Sequence, residues 1–210
     1  MLTLSLRRIV VFGALLGIAT FCYVNAQGPA NRFPGPTSSQ NIAVTTDGTL
    51  LAVVNPDSDS VTFFDVGGDR NRKLAEVNTE SEPNSVTFNP QGTRAYVANT
   101  VSGSVSVYAI NRGAPIVARE LTNIKVGTEP YALAMTPNGT RLYVANARSN
   151  DISVIDIITH RVYRTIPDVG FEPRGLAITN DGDEDDLDET VWVSQFLALP
   201  AANGKPDGEG

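Results

Sequence analysis

Gly48, Gly92, Gly139 and Gly182 stand 44, 47 and 43 residues apart, and they head copies of one unit. Seven residues after the first three come Asn55, Asn99 and Asn146; thirteen residues after them come Val61, Val105 and Ile152. The fourth glycine is followed by an acidic insertion before an apolar stretch resumes at Val191-Trp192-Val193. An internal repeat of this length restricts the architecture more than any other feature of a chain can.

Each copy opens with a short apolar segment: Asn41–Val44, Ser85–Phe88, Ala132–Met135 or Gly175–Ile178. A tight Asp-Gly, Gln-Gly or Asn-Gly turn follows, which supplies the positive φ of a short hairpin and predicts antiparallel pairing with the next segment. That second segment, Leu50–Val54, Arg94–Ala98 or Arg141–Ala145, is apolar almost throughout, as expected of a strand buried on both faces. The third, Ser60–Phe64, Ser104–Tyr108 or Asp151–Ile155, alternates more clearly. A fourth follows a polar turn: Lys73–Val77, Ile116–Arg119 with an extension through Ile124–Val126, and Val162–Ile166. Four antiparallel strands per repeat describe one blade of a β-propeller, in which radial stacking buries both faces of every sheet. The expected fold is all-β, with about three and a half blades: repeats of about 40–82, 83–129, 130–172 and 173–200, and a Gly/Pro/Asp-rich tail at 201–210.

Ahead of the repeats, Arg7 and Arg8 precede an apolar run from Ile9 to Val24, and Val24-Asn25-Ala26 offers small residues before Gln27. This is the layout of a secretory signal peptide over residues 1–26, followed by a linker at 27–39. The chain is therefore expected to be exported, to the periplasm, the cell surface or the medium, with no transmembrane span after cleavage. A formal charge of −7 and a pI near 4.7 argue against general nucleic-acid binding, which needs clustered Lys and Arg. Cys22 is the one cysteine and His160 the one histidine, so no His or Cys cluster for zinc, copper or haem can be assembled from this sequence.

Tyr96-Val-Ala-Asn99 and Tyr143-Val-Ala-Asn146, with Val126-Gly-Thr-Glu-Pro130 and Val169-Gly-Phe-Glu-Pro173 upstream of their blades and Ser153-Val-Ile-Asp156 downstream, resemble the YVTN-type β-propeller repeat. The first copy departs from it with Val53-Val54-Asn55, and the fourth with Trp192-Val-Ser-Gln195. The resemblance implies an exported or cell-surface bacterial or archaeal propeller, related to lactonase-like propellers, with rings of about seven blades. Three and a half blades do not close, so the sequence is expected to be part of a longer chain; self-association through the open edge is the alternative.

Pro83, Pro130 and Pro173 stand nine residues before their glycines, each preceded by a glutamate: Glu82, Glu129 and Glu172. These segments join one blade to the inner strand of the next, on the face that also carries the loops after Asn99 and Asn146. A partial carboxylate ring with Arg174 opposing it would suit a cation or a small polar ligand; solvated turn glutamates are the plainer expectation. Asn99 and Asn146 are expected to bond nearby backbone, with a place among the ligand-binding residues of that face as the alternative. The insertion Asp181–Glu189 carries seven of the chain's 23 acidic residues. Asp181, Asp183 and Asp185 begin like a calcium loop, but Asp186 stands where Gly is required and Trp192 where Glu is. Calcium there, or a solvated loop on the face opposite the glutamates, are the two expectations. His160 falls in an outer hairpin and is expected exposed and non-catalytic; Trp192, in the place of Tyr96 and Tyr143, is expected in the core.

The leading functional expectation is a non-catalytic binding or scaffold module that holds an unknown protein or small polar ligand through its inter-blade loops. An extracytoplasmic enzyme of the lactonase-like or redox-associated type is the alternative, and a surface-layer or adhesive role a further one.

Overall fold

A computed structural model describes residues 41–113 and 117–197. The expected signal peptide and linker, and the expected tail, lie outside the described residues. Fourteen strands follow one another: β1 (Ile42–Val44), β2 (Leu50–Asn55), β3 (Ser60–Asp65), β4 (Arg72–Asn78), β5 (Pro83–Phe88), β6 (Arg94–Asn99), β7 (Ser104–Asn111), β8 (Val117–Lys125), β9 (Pro130–Met135), β10 (Arg141–Asn146), β11 (Asp151–Asp156), β12 (Arg161–Ile166), β13 (Phe171–Ile178) and β14 (Val191–Leu197). They form three four-stranded sheets in sequential order and a two-stranded fourth, β13-β14, all paired antiparallel. This is three and a half blades of a β-propeller. No α-helix occurs among the described residues, and none of their helices is long and apolar enough to cross a membrane.

Sequence dictates the hairpins. Gly48, Gly92, Gly139 and Gly182 all take positive φ, between 61° and 92°. Gly139 has a second reason to lack a side chain, since a Cβ there would come within 2.6 Å of Pro90 Cδ in the neighbouring blade. Three apolar clusters then glue each sheet to the next. Leu50, Val61 and Phe63 pack on Val86, Phe88 and Tyr108; Tyr96 and Val105 on Leu133, Met135 and Leu142; Ile152 and Val154 on Leu176 and Ile178. Phe63 stands 6.4 Å, centroid to centroid, from both Phe88 and Tyr108. The second strands β6 and β10 are accordingly buried on both faces over most of their length, whereas β2 alternates between buried and half-buried. One face of β2 has no described sheet against it.

Trp192 is a correction. It occupies the repeat position of Tyr96 and Tyr143 but is 66% exposed. Tyr96 is covered by the inner strand of the third sheet and Tyr143 by that of the fourth, and no described sheet follows β14. At the other end, Ile42 and Val44 are about half exposed, although their counterparts Val86, Phe88, Leu133 and Met135 are buried against a preceding sheet. His160 also differs from expectation: it is half-buried, with φ 52° in the β11–β12 turn. Burial, then the positive field of Arg94, lowers its pKa.

Candidate functional site

The inner strands β5, β9 and β13 begin at or before their prolines, two residues earlier than the apolar pattern suggested for β5 and β9 and four residues earlier for β13. Glu82, Glu129 and Glu172 thus sit at the strand starts, all left-handed, with φ of 53°, 55° and 47°. A residue before proline is ordinarily driven to extended conformations, and non-glycine residues seldom take positive φ. Backbone bonds hold the turn. The Glu82 N–H donates to Asp59 Oδ1 at 2.8 Å and the Glu172 N–H to Asn150 Oδ1 at 2.9 Å. The Glu82 carbonyl accepts from the Thr100 N–H, and that of Glu129 from Ala147, both at 2.8 Å. These bonds place the Glu-Pro segments on the loops that follow Asn99 and Asn146, at the shared end the repeat predicted.

The candidate residues fall into three groups. Glu82 and Glu129 are exposed, and among the described residues no hydrogen bond or ion pair joins the three carboxylates to one another. Glu172 and Arg174 are brought together: Arg174 Nη2 donates to Glu172 Oε2 at 2.8 Å, with both side chains partly buried. Asn99 and Asn146 are fully buried. Asn99 Nδ2 donates to the Ser104 and Ser106 hydroxyls at 3.1 and 2.8 Å, and Asn146 Nδ2 to Asp151 Oδ1 and Ser153 Oγ at 2.6 and 2.9 Å. These two asparagines tie the second strand to the third beneath the loops, out of reach of a ligand.

Two aromatic residues complete the Arg174 environment and were not foreseen. The guanidinium carbon lies 4.0 Å from the Phe196 ring centroid and 5.0 Å from that of Tyr131. Such contacts orient a cation over the ring's negative face. The signal was positional. Tyr131 and Arg174 both follow the repeat's proline, and Phe196 follows Gln195 as Thr100 follows Asn99. Arg174 Nε is buried without a partner, and one edge of the guanidinium is committed to Glu172. The result is a fixed positive group beside a carboxylate, flanked by two rings, at the end of the blades where inner strands begin. It can bind a carbonyl or anionic oxygen and set it next to a proton acceptor.

The acidic insertion lies at the opposite end. Asp186 is 5% exposed and caps the Asn138-Gly139 turn: Oδ1 accepts the Asn138 N–H at 2.9 Å, and Oδ2 the Thr140 N–H and hydroxyl at 3.0 and 2.7 Å. Burial acts to raise its pKa, but bonds from Thr136, Asn138 and Thr140 outweigh it and hold the carboxyl below the usual carboxylate range. The carboxylates that approach one another within 4.8 Å are Asp181, Asp183 and Asp188, all exposed, so that Asp188 stands where Asp185 was expected. Asp185 instead accepts the Leu187 N–H at 2.9 Å. Burial, then repulsion from Asp183, Asp181 and Asp185, raises the Asp188 pKa.

No curated protein matches the chain. Among solved structures it is similar to hydrazine synthase of Kuenenia stuttgartiensis, at 28% identity and a TM-score of 0.60, over 89% of this chain and 51% of that one. It is also similar to a putative 6-phosphogluconolactonase of Bacteroides uniformis, at 22% identity and a TM-score of 0.58, over 69% and 45% of the two chains. The periplasmic gluconolactonase PpgL of Pseudomonas aeruginosa matches at 18% identity and a TM-score of 0.56, over 72% and 43%. The chain therefore spans about half the length of the structures it resembles. The family model described as lactonase, 7-bladed beta-propeller, matches residues 20–128, just over half of the sequence. With four-stranded blades in sequential order and this match, the chain belongs to the seven-bladed β-propeller lactonase family.

Proposed function

We propose that this chain carries part of the ligand site of an exported lactone hydrolase, with its substrate, a small polar lactone, held at the end of the blades where the inner strands begin. The observation that carries the reading is the Glu172–Arg174 pair, 2.8 Å apart between the rings of Tyr131 and Phe196. Lactonase family membership and the named gluconolactonase likenesses support it. Water adds to the lactone carbonyl carbon, the ring C–O bond breaks, and a hydroxy acid results. Arg174 is suited to the carbonyl oxygen, which gains negative charge on attack. Glu172, adjacent to it, is suited to take the water's proton and return it to the departing alkoxide. Exposed Glu129 extends the polar surface toward the substrate's hydroxyls. Export through the 1–26 signal peptide, and the YVTN-type character of the repeats, belong to the same reading.

A second reading keeps the site and removes the chemistry. Glu172 is bonded to Arg174 and is not free, an arrangement that also suits holding a polar ligand without turning it over, in a binding or scaffold module. The 28% identity with hydrazine synthase favours a redox-associated setting for that module. Titration of acid released from glucono-δ-lactone decides between them. Turnover above the spontaneous rate, lost in Arg174→Ala and Glu172→Gln, is expected. No turnover, with lactone still bound by the unmodified chain and not by Arg174→Ala, would replace hydrolase with binding module.

A further inference from the structure

Three segments meet at the end of the blades that carries the Glu172–Arg174 pair: 126–129 before β9, 147–150 after β10, and 167–170 leading into β13. Backbone bonds tie them together. The Ala147 and Arg148 N–H groups donate to the Glu129 and Thr128 carbonyls at 2.8 and 3.1 Å. Asn150 joins the third segment to the second. Its carbonyl accepts from the Val169 N–H at 3.2 Å and its Oδ1 from the Glu172 N–H at 2.9 Å.

The charge at this junction is one-sided. Glu129, Asp151, Asp168 and Glu172 are set against two guanidinium groups, Arg148 and Arg174. Arg174 is committed to Glu172. Glu129, Asp151 and Asp168 make no ion pair among the described residues, and Glu129 and Asp168 are exposed. Asp151 accepts from Asn146 Nδ2, a neutral donor that leaves its charge in place. Lys125, just ahead of the first segment, donates to the Ser102 carbonyl and is matched by Glu80 at 3.9 Å.

Charge also separates the two sides of the proposed reaction. A lactone is uncharged, whereas the hydroxy acid into which it opens is a carboxylate at neutral pH. A carboxylate at Arg174 has to share the guanidinium with Glu172, beside further unpaired carboxylates, so like-charge repulsion loosens it. An uncharged ring meets the same donors without that penalty.

We propose that this acidic rim sorts ligands by charge: it admits an uncharged lactone, rejects one bearing a phosphate or carboxylate, and expels the hydroxy acid product. Asp168, exposed and unpaired two bonds of Asn150 away from Glu172, is a specificity-determining residue. The proposal rests on the lactone reading of the site.

Isothermal titration of the whole chain with gluconolactam, an uncharged ring analogue of the lactone, and with gluconate tests it. At low salt gluconate is expected to bind about tenfold more weakly than the lactam, and to bind better as salt screens the repulsion. Asp168→Asn should tighten gluconate about twofold and Asp168→Lys about fourfold, with lactam affinity unchanged in both. A gradation that follows charge and fades in high salt is one that a merely structural role would not produce. Gluconate bound as tightly as the lactam, gluconate binding weakened by salt, or variants without effect at low salt would each overturn the proposal. Failure to bind either compound would overturn it together with the lactone reading. Lactam binding without lactone turnover would overturn hydrolysis alone, and the charge preference would stand on the same affinities.

Discussion

Asn99 and Asn146 hold the same place in consecutive blades, are equally buried, and make the same kind of bonds from Nδ2, yet their carbonyl oxygens fare differently. Asn99 Oδ1 accepts from the Thr79 hydroxyl at 2.7 Å. Asn146 Oδ1 is buried with no partner. The cause lies four residues before each proline, where the second blade has Thr79 and the third Val126. Gly127 seals the site: a Cβ there would come within 2.6 Å of Asn146 Nδ2. The half of the motif that joins strand to strand within a blade is copied faithfully. The half that joins one blade to the next varies, and in the third blade it leaves a buried acceptor unpaired.

The largest effect expected from this contrast is on Asn99. Asn99→Leu strips partners from Ser104, Ser106 and Thr79 and should cost about 3 kcal/mol in chemical denaturation. Asn146→Leu loses bonds to Asp151 and Ser153 but removes an oxygen that was already unsatisfied, so it should cost about 2 kcal/mol or less. Equal costs would break the comparison. Asp186 provides an inter-blade bond of another kind, and Asp186→Asn should destabilise by about 2 kcal/mol. Its depressed pKa gives this contribution a pH signature. The stabilisation is complete above the ordinary carboxylate value of about 4 and is lost as pH falls through the lower folded value. The Asn variant should therefore show a flatter acid limb in a pH series of melting temperatures.

Blade geometry was legible in the sequence because the turns need positive φ and the strands need apolar runs, both local properties of single residues. The strand starts were less so. Proline reads as a loop residue, yet Pro83 and Pro130 open inner strands, where a missing N–H is tolerated. Of the site, the Glu-Pro pairs were visible as repeats, but the Glu172–Arg174 bond and its two rings depend on Phe196 lying across from β13, a matter of register. Trp192 was misplaced for a different reason: burial at its position is conferred by the following sheet, which no property of the residue itself reveals. Asp186 likewise looked like one more carboxylate in an acidic run until the neighbouring turn supplied its donors.

Val126→Thr tests the comparison in the constructive direction. A hydroxyl at this half-buried position reproduces the Thr79 bond and gives Asn146 Oδ1 its missing donor, so the variant should be stabilised by about 1 kcal/mol. The same substitution in an Asn146→Leu background has no oxygen to satisfy and should be neutral or unfavourable. A double-mutant cycle on the pair therefore isolates the bond from the change of side-chain shape.

The smallest effect concerns a second buried orphan. Tyr96 is fully buried, and its hydroxyl has no partner; burial, opposed by the field of Arg94, pushes its pKa up to about 12. Tyr108, equally buried, donates to the Asn78 carbonyl of the preceding blade at 2.7 Å. Removing an unsatisfied hydroxyl relieves its desolvation cost, while removing a bonded one strands its acceptor. Tyr96→Phe should therefore be neutral or stabilising by up to about 1 kcal/mol, and Tyr108→Phe destabilising by about the same amount. Both keep the ring, so packing is unchanged, and the difference between their denaturation midpoints reads the hydroxyls alone. If Tyr96→Phe proves the more damaging, Tyr96 has a polar partner in solution, and the third blade must be supplying it.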